Sequence, residues 1–176
     1  MTTENKNIKH EIINDFLPQK EFQEIQSAIM ETSPIHDKNI GWIYTSTVAD
    51  KNETKNWKYF YMNHMICSHS IIISPFFDYI LPALNKLEVK SLIRIKCNLF
   101  PNSEKVHEHD MHIDFDFSHK GAILYINSCN GYTKLEDGTK IDSVANRILF
   151  FDPSIPHCST TTSDTTARFN INFNYF

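Results

Sequence analysis

Two segments in the second half of the chain alternate regularly between apolar and polar residues. Residues 91–100 carry Arg94, Lys96 and Asn98 on one face and Ile93, Ile95 and Cys97 on the other. Residues 167–176 carry Arg168, Asn170, Asn172 and Asn174 on one face and Phe169, Ile171, Phe173 and Tyr175 on the other. This period of two predicts β-strands. Because both polar faces combine Arg or Lys with Asn, they fit the lining of a wet cavity as well as they fit open solvent.

Continuous apolar stretches predict buried strands between these two segments. They are GAILYIN at 121–127 and NRILFFD at 146–152, and the sequences NGYT and EDGT between them carry turn chemistry. The second half of the chain is therefore predicted to form a β-sandwich or barrel.

The first half of the chain favours helices. Residues 17–34 begin with Pro18 and place apolar residues at helical spacing, so a helix is predicted that ends at Ser33-Pro34. A second helix is predicted over 74–87, with a kink or break at Pro82. Together with the strands, these helices predict an α+β chain that is mainly β.

Shorter β elements are predicted around these helices. Ile12–Phe16 is expected to form a short strand, and residues 41–65 are aromatic and β-branched apart from a polar loop at 49–56.

The composition indicates one globular domain over residues 1–176, because 41% of the residues are apolar and 22% are charged. The net charge of −4 argues against a nucleic-acid partner and a membrane surface. The first ten residues have no apolar core, and the four cysteines show no CxxC spacing. Free thiols and a cytoplasmic location are therefore expected.

His112 and Asp114 stand two residues apart in a segment that is predicted to be extended, so both side chains would lie on one side. Ferrous iron in oxygen-using enzymes favours two imidazoles and one carboxylate on one face. His157, after the strand NRILFFD, is the candidate third ligand. The alternative is a polar turn in front of a buried strand.

The other histidines show no such pattern. His107 and His109 are interpreted as loop residues near an opening, which the polar segments 102–110 and 159–166 would flank. His10, His36, His64, His69 and His119 have no partner pattern.

Arg168 follows His157 by eleven residues and begins a strand whose Asn-bearing face is expected to point inward. A guanidinium in that place can hold a carboxylate through two parallel hydrogen bonds. A metal triad followed by a buried arginine is what a 2-oxoacid cosubstrate with a distal carboxylate would require.

In these segments the chain resembles the Fe(II)/2-oxoglutarate-dependent dioxygenases, in particular the prolyl 4-hydroxylase-like branch and its phage-encoded members. The matching sequences are HIDFDFSHKGAILYIN, GYTKLEDG, NRILFFDPSIPH and ARFNINFNYF, which together cover most of residues 92–176. The first half of the chain matches more loosely, in DFLPQKEF and SLIRIKCNLFP.

The resemblance implies a double-stranded β-helix, a jelly-roll or cupin-like barrel, with supporting helices at 1–90 and the metal site in the β-helix at 91–176. His112, Asp114 and His157 would bind Fe(II), and Arg168 would pair with the distal carboxylate of 2-oxoglutarate. Tyr125 matches a tyrosine that donates to the same carboxylate, the alternative being plain core packing. If they point inward, Asn98, Asn170 and Asn172 would hydrogen-bond the cosubstrate or metal-bound water. The alternative interpretation is that these three asparagines are simply polar residues on a sheet face.

The implied reaction consumes dioxygen and 2-oxoglutarate, forms succinate and CO2, and hydroxylates an unactivated C–H bond, with ascorbate as reductant. The expected substrate is a prolyl residue in a peptide or protein. A free amino acid or another small molecule is the alternative. The protein is expected to be a monomer or weak dimer, in the host cytoplasm if a phage encodes it.

The chain departs from the family pattern at two positions and in one spacing. Collagen-type prolyl hydroxylases have Lys where Arg168 stands, and the oxygen-sensing enzymes have Tyr where Phe100 stands. The segment from His157 to Arg168 is also slightly longer. These differences bear on the substrate more than on the chemistry. A cupin-like metal protein without oxygenase activity and a catalytically silent binding or phage structural module remain as alternatives.

Overall fold

The computed structural model describes residues 10–31, 40–48 and 60–176. The predicted polar loop at 49–56, the predicted helix end at Ser33-Pro34 and His36 lie outside the described residues. Eleven strands occur in the described part: β1 Glu11–Ile13, β2 Ile43–Thr45, β3 Tyr61–Ser68, β4 Ile71–Ile72, β5 Leu92–Pro101, β6 Lys120–Tyr125, β7 Tyr132–Leu135, β8 Lys140–Asp142, β9 Ile148–Phe151, β10 His157–Ser159 and β11 Ala167–Tyr175. The helices are α1 Gln19–Met30, a 3-10 helix at Pro75–Ile80, and α2 Leu81–Lys86.

Two antiparallel sheets make up the molecule. The larger has eight strands in the order β1-β9-β6-β11-β5-β3-β2, with β4 paired to β3, and the smaller has the order β10-β7-β8. The sheets pack through apolar side chains, since Leu135 and Ile141 of the small sheet lie in one cluster with Ile123, Leu149 and Phe151 of the large sheet. The prediction of a mainly β, cupin-like jelly roll with supporting helices is confirmed.

The other face of the large sheet is covered by helices. Phe22, Ile25 and Ile29 of α1 are buried in the same cluster as Ile171 and Phe173 of β11. Their spacing of three and four residues places them on one side of α1, so the helix covers the sheet with a single apolar stripe. This face is dry and apolar, and the polar residues of β5 and β11 point the opposite way, toward the small sheet.

The predicted second helix changes type near the expected break. The Ser74 hydroxyl accepts a hydrogen bond from the Phe76 N–H at 3.1 Å and starts a 3-10 helix, and α2 begins at Leu81, one residue before Pro82. Proline fits there because the first turn of a helix has free N–H groups anyway. None of the described residues lie in a helix that could cross a membrane.

We expect Ile171→Ala to lower the free energy of unfolding by about 2–5 kcal/mol, because it opens a cavity in the core between α1 and the large sheet. Ile72→Ala is the matched control, since Ile72 is 51% exposed and its replacement should change stability by under about 0.5 kcal/mol. Urea unfolding followed by circular dichroism measures both. Equal losses for the two variants would contradict the assignment of Ile171 to the core.

Candidate metal centre and its cavity

The structure brings His112, Asp114 and His157 together. One ligand atom from each residue lies within 4.8 Å of those of the other two, and the two imidazole centroids are 4.7 Å apart. Two nitrogens and one carboxylate oxygen on one side, with open space opposite, is a donor set that suits ferrous iron. The three residues that the sequence nominates as ligands are therefore placed where they could hold one metal ion.

His112 and Asp114 do not lie in a regular strand, and the expectation that they would is wrong. His112 instead forms an isolated antiparallel bridge with His157, in which each N–H donates to the other residue's carbonyl at 2.9 Å. Asp114 N–H donates to the carbonyl of Pro153 at 2.9 Å. The backbone pairs the two histidines directly, and this bridge holds their side chains close together.

Burial keeps both imidazoles neutral. It lowers the pKa of His112 to about 4, helped by the neighbouring His157, and it also lowers the pKa of His157. His157 Nδ1 lies 3.0 Å from the carbonyl of Ile155, which only accepts, so this nitrogen carries the proton. The lone pair of His157 Nε2 is then available to a metal.

Asp114 is held as a carboxylate. Burial alone would raise the pKa of Asp114, but the Arg94 guanidinium, the Lys96 ammonium group and an amide hydrogen bond hold it well below its usual range. Arg94 forms an ion pair with Asp114 Oδ1 at 2.6 Å, and Asn172 Nδ2 donates to Oδ2 at 3.0 Å. The sequence pattern places Arg94 on the polar face of β5 but does not indicate this ion pair.

A chain of hydrogen bonds extends from Asp114 away from the cavity. Asn174 Nδ2 donates to Asn172 Oδ1 at 3.0 Å, and His119 Nε2 lies 2.7 Å from Asn174 Oδ1. Because a carboxylate only accepts, Asn172 must turn its NH2 group toward Asp114, and this fixes the orientation of Asn174 as well. His119 Nδ1 faces the carbonyl of Phe117 at 2.8 Å, so both ring nitrogens of His119 face acceptors.

The polar faces of β5 and β11 line a cavity beside the triad. Its walls are formed by Val48, Tyr61, Lys96, Asn98, Phe100, His112, Asp114, Ile123, Thr133, His157, Cys158, Ser159, Asn170 and Asn172. Asn98, Asn170 and Asn172 thus point inward, and Asn98 Nδ2 donates to Asn170 Oδ1 at 2.9 Å. Of the two interpretations of these faces, the cavity is the one that the structure supports.

Arg168 is fully buried and has no carboxylate partner among the described residues. Its guanidinium donates to Thr133 Oγ1 at 3.1 Å and to the carbonyl of Thr160 at 3.3 Å, and it lies over the rings of Phe100 and Tyr125. Thr133 and Phe100 line the cavity, so the cation lies directly behind its wall. A buried charge without a counter-ion is costly, and this position favours an anionic ligand.

Tyr125 and Thr133 complete this end of the cavity. Tyr125 is buried, and its hydroxyl donates to Thr133 Oγ1 at 2.9 Å, so the phenol reaches Arg168 through the threonine. Thr133 belongs to the GYTKLEDG segment of the resemblance, but the sequence pattern assigns it no role of its own, and the structure places it in β7.

The segments at 102–110 and 159–166 differ from the expected pair of polar flanks. They hydrogen-bond to each other, with the His109 N–H donating to Ser159 O and the Thr161 N–H donating to His107 O, and Thr160, Thr161 and Thr162 are buried. His109 lies in a loop, as predicted, but it is buried against the ring of Phe100 and is not exposed at the opening. In the described part of the chain its ring nitrogens have no hydrogen-bond partner.

We expect Gly131→Ala to displace Arg168. A Cβ at this position would lie 2.6 Å from Arg168 Cδ and 2.6 Å from the carbonyl oxygen of Thr161, and the backbone oxygen cannot move aside cheaply. The variant should lose about 1–3 kcal/mol of stability in thermal or urea unfolding. Gly41→Ala is the control, because nothing lies within 4 Å of the Cβ that it adds. Equal stability of both variants would contradict the close packing around Arg168.

We expect His109 to make the metal-free protein sensitive to acid. Burial lowers the pKa of His109 to about 3 from an ordinary 6.5, so the unfolded state binds a proton first as the pH falls. His109 should thus cost nothing above pH 7 and about 1.4 kcal/mol of stability per pH unit between pH 6 and pH 4. Urea unfolding of the wild type and His109→Gln over this range tests it. Parallel stability curves would show that His109 is not the group responsible.

No family model and no curated protein matches the sequence. Solved structures do match its fold. A 2OG-Fe(II) oxygenase family oxidoreductase from Burkholderia pseudomallei has a TM-score of 0.69 at 11% identity, over 94% of this chain and 84% of that one. A Trichoplax adhaerens prolyl hydroxylase, in complex with a hypoxia inducible factor oxygen degradation domain peptide fragment, has 0.61 at 16%, over 97% and 84%. A Pseudomonas putida prolyl-4-hydroxylase has 0.60 at 15%, over 96% and 92%. The chain therefore has the fold of these oxygenases.

Proposed function

We propose that the protein is an Fe(II)- and 2-oxoglutarate-dependent dioxygenase that hydroxylates an unactivated C–H bond. The observation that carries the proposal is the pairing of two features at one cavity, one in its lining and the other directly behind its wall. At one place two imidazoles and a carboxylate converge, and at another a buried arginine lacks an anionic partner among the described residues. A dicarboxylate that chelates a metal through its 2-oxo end would satisfy both features.

His112, Asp114 and His157 would hold the ferrous ion. When bound, it would supply the activation of dioxygen that couples decarboxylation of 2-oxoglutarate to hydroxylation. These side chains already have the protonation states that metal binding requires, because the imidazoles are neutral and Asp114 is ionised in the metal-free protein. A cupin-like metal protein without this activity would not need the buried Arg168.

Arg168 would bind the distal carboxylate of 2-oxoglutarate. Thr133 Oγ1 already accepts hydrogen bonds from both Arg168 and Tyr125, so its own proton is free to be donated to a ligand. Tyr125 would then orient the threonine, in addition to or in place of a direct bond to the carboxylate. Asn98, Asn170 and Asn172 would supply further hydrogen bonds to the cosubstrate along the cavity wall.

The favoured substrate is a prolyl residue in a peptide or protein. Its support is the sequence resemblance to the prolyl 4-hydroxylase-like branch, together with the shared fold of two solved prolyl hydroxylases, one of them in complex with a peptide. Proline-rich segments are pre-ordered and lack an N–H at proline, so a groove beside the metal would bind them at low entropic cost. A free amino acid or other small molecule is the second candidate. It is favoured by Lys96 in the cavity lining, because an ammonium group could bind the carboxylate of such a molecule.

We expect the purified protein to bind one Mn(II) in place of Fe(II), and His157→Ala to weaken binding by at least about 100-fold, because one of three ligands is lost. Calorimetric titration without oxygen measures the dissociation constant. The control is His69→Asn, an exposed histidine with φ of 49° at which asparagine is tolerated. Wild-type affinity in His157→Ala would remove this residue from the metal site.

We expect Arg168→Ala to raise the dissociation constant of 2-oxoglutarate at least tenfold, because about 2–5 kcal/mol is lost with a buried charge-paired hydrogen bond. Arg168→Lys should recover part of the affinity, since it restores the charge without the planar fork. Arg147→Lys is the control. Arg147 precedes β9 at one edge of β6, whereas Arg168 lies on β11 at the other edge, and the Arg147 side chain donates to Asn14 and to the carbonyl of Asp142. Unchanged affinity in Arg168→Ala would mean that another group holds the carboxylate.

The substrate is tested by incubation with Fe(II), ascorbate, 2-oxoglutarate and proline-containing peptides, followed by mass spectrometry. A gain of one oxygen on a peptide is expected, with an equal amount of succinate. Oxygen gained only by a free amino acid or another small molecule would contradict the prolyl substrate and leave the dioxygenase proposal standing. No succinate under any condition would contradict the dioxygenase itself.

A further inference from the structure

Lys96 is the one lysine among the cavity-lining residues of the described chain, and neither the triad nor Arg168 accounts for it. It lies on β5 between Arg94 and Asn98, and its Cα pairs with that of Asn172 on β11. Lys96 lines the same cavity as His112, Asp114 and His157, so its side chain lies beside the proposed metal site.

No carboxylate in the described part of the chain pairs with Lys96. Its ammonium group lies 3.5 Å from the Tyr61 hydroxyl and 5.4 Å from the centre of the Tyr61 ring, and both contacts are weak. Asp114 is the one carboxylate among the described lining residues, and its two oxygens contact Arg94 and Asn172 rather than Lys96. Burial and the nearby Arg94 lower the pKa of Lys96 to about 8, and the Asp114 carboxylate, which forms its ion pair with Arg94, offsets this only in part.

The charges of the site leave this lysine without a partner even when the proposed ligands are bound. A divalent metal, the Asp114 carboxylate, the dianion 2-oxoglutarate and Arg168 sum to zero. Arg94 and Lys96 add two positive charges, and neither has a further carboxylate nearby among the described residues. Lys96 and Asp114 are half-buried, so water screens such an excess of positive charge only in part, and one more anion would be stabilised there.

We propose that Lys96, with Tyr61 beside it, forms a second carboxylate-binding subsite next to the metal. This inference rests on the proposed function and narrows its substrate. The subsite would take a carboxylate of the substrate, such as a free amino acid, a C-terminal residue or an acidic side chain beside the reacting group. The same chemistry would suit the carboxylate of 2-oxoglutarate adjacent to its keto group, and the experiment separates these two sources.

The test uses wild type, Lys96→Met and Lys96→Arg. Methionine keeps the apolar length of the lysine side chain without its charge, and arginine keeps the charge, so together they separate charge from packing. Thermal unfolding verifies that each variant is folded. Mn(II) replaces iron and oxygen is excluded, so every measurement is one of binding and none depends on turnover.

In the first arm, 2-oxoglutarate is titrated calorimetrically into each Mn(II)-loaded protein. In the second, N-acetylproline, N-acetylglycine and acetate are titrated into the protein saturated with Mn(II) and 2-oxoglutarate, with N-acetylprolinamide as the neutral match. We expect an unchanged 2-oxoglutarate affinity and a loss of about tenfold in affinity for at least one carboxylate probe in Lys96→Met, with recovery in Lys96→Arg. The neutral amide should not distinguish the variants.

A tenfold loss in the first arm would support the carboxylate subsite and assign it to 2-oxoglutarate rather than the substrate. Equal affinity of wild type and Lys96→Met for 2-oxoglutarate and for every carboxylate probe would overturn the proposal. Failure of the wild type to bind Mn(II) or 2-oxoglutarate would instead overturn the proposed function, and it would be seen before any probe is added.

Discussion

The site depends on the strand Ala167–Tyr175, which is hydrogen-bonded along both of its edges. It pairs with β5 over its full length and with β6 over most of it, so it cannot shift without breaking two ladders. Successive residues point to opposite faces, and the strand therefore sends Ile171 and Phe173 into the helix-covered core and Asn170 and Asn172 into the cavity. The apolar face fixes the register of β11 in the sheet, and this register determines the position of Arg168.

Charge is distributed unevenly around the cavity. Arg94 balances Asp114, while Arg168 and Lys96 have no anionic partner among the described residues. Hydrogen bonds to Thr133 and Thr160 and the faces of two aromatic rings reduce the cost of burying Arg168 without cancelling its charge. The folded protein therefore carries electrostatic strain that anionic ligands would relieve, and such ligands should stabilise it as they bind.

Much of this arrangement could be predicted from the sequence, because it follows local rules. Period-two alternation predicts β5 and β11, and the spacing of His112 and Asp114 singles out two candidate ligands that the fold brings to His157. The prediction of a strand at His112 is wrong, because His112 forms an isolated backbone bridge to His157 instead of a strand ladder. That bridge joins residues 45 positions apart, and no local pattern records it.

The residues that sequence reasoning missed act through tertiary contacts. His109 stands in a polar stretch typical of an exposed loop, yet the segment pairs with residues 159–162 and the ring is buried against Phe100. The hydrogen-bond contact of His119 with Asn174 joins residues that are 55 positions apart in the sequence. Sequence pattern reports which face a residue occupies within one element, and it does not report which distant side chain it will meet.

The chain of hydrogen bonds from Asp114 through Asn172 and Asn174 to His119 has one allowed direction. Each asparagine must donate toward Asp114 and accept from the far side, so the two positions require an amide and not merely a polar group of that size. Deamidation, which replaces NH2 by an oxygen at almost constant volume, would turn the donor of Asn172 into a second negative charge facing Asp114. A carboxylate at either of these buried positions would therefore disrupt the network, although the shape of the side chain would hardly change.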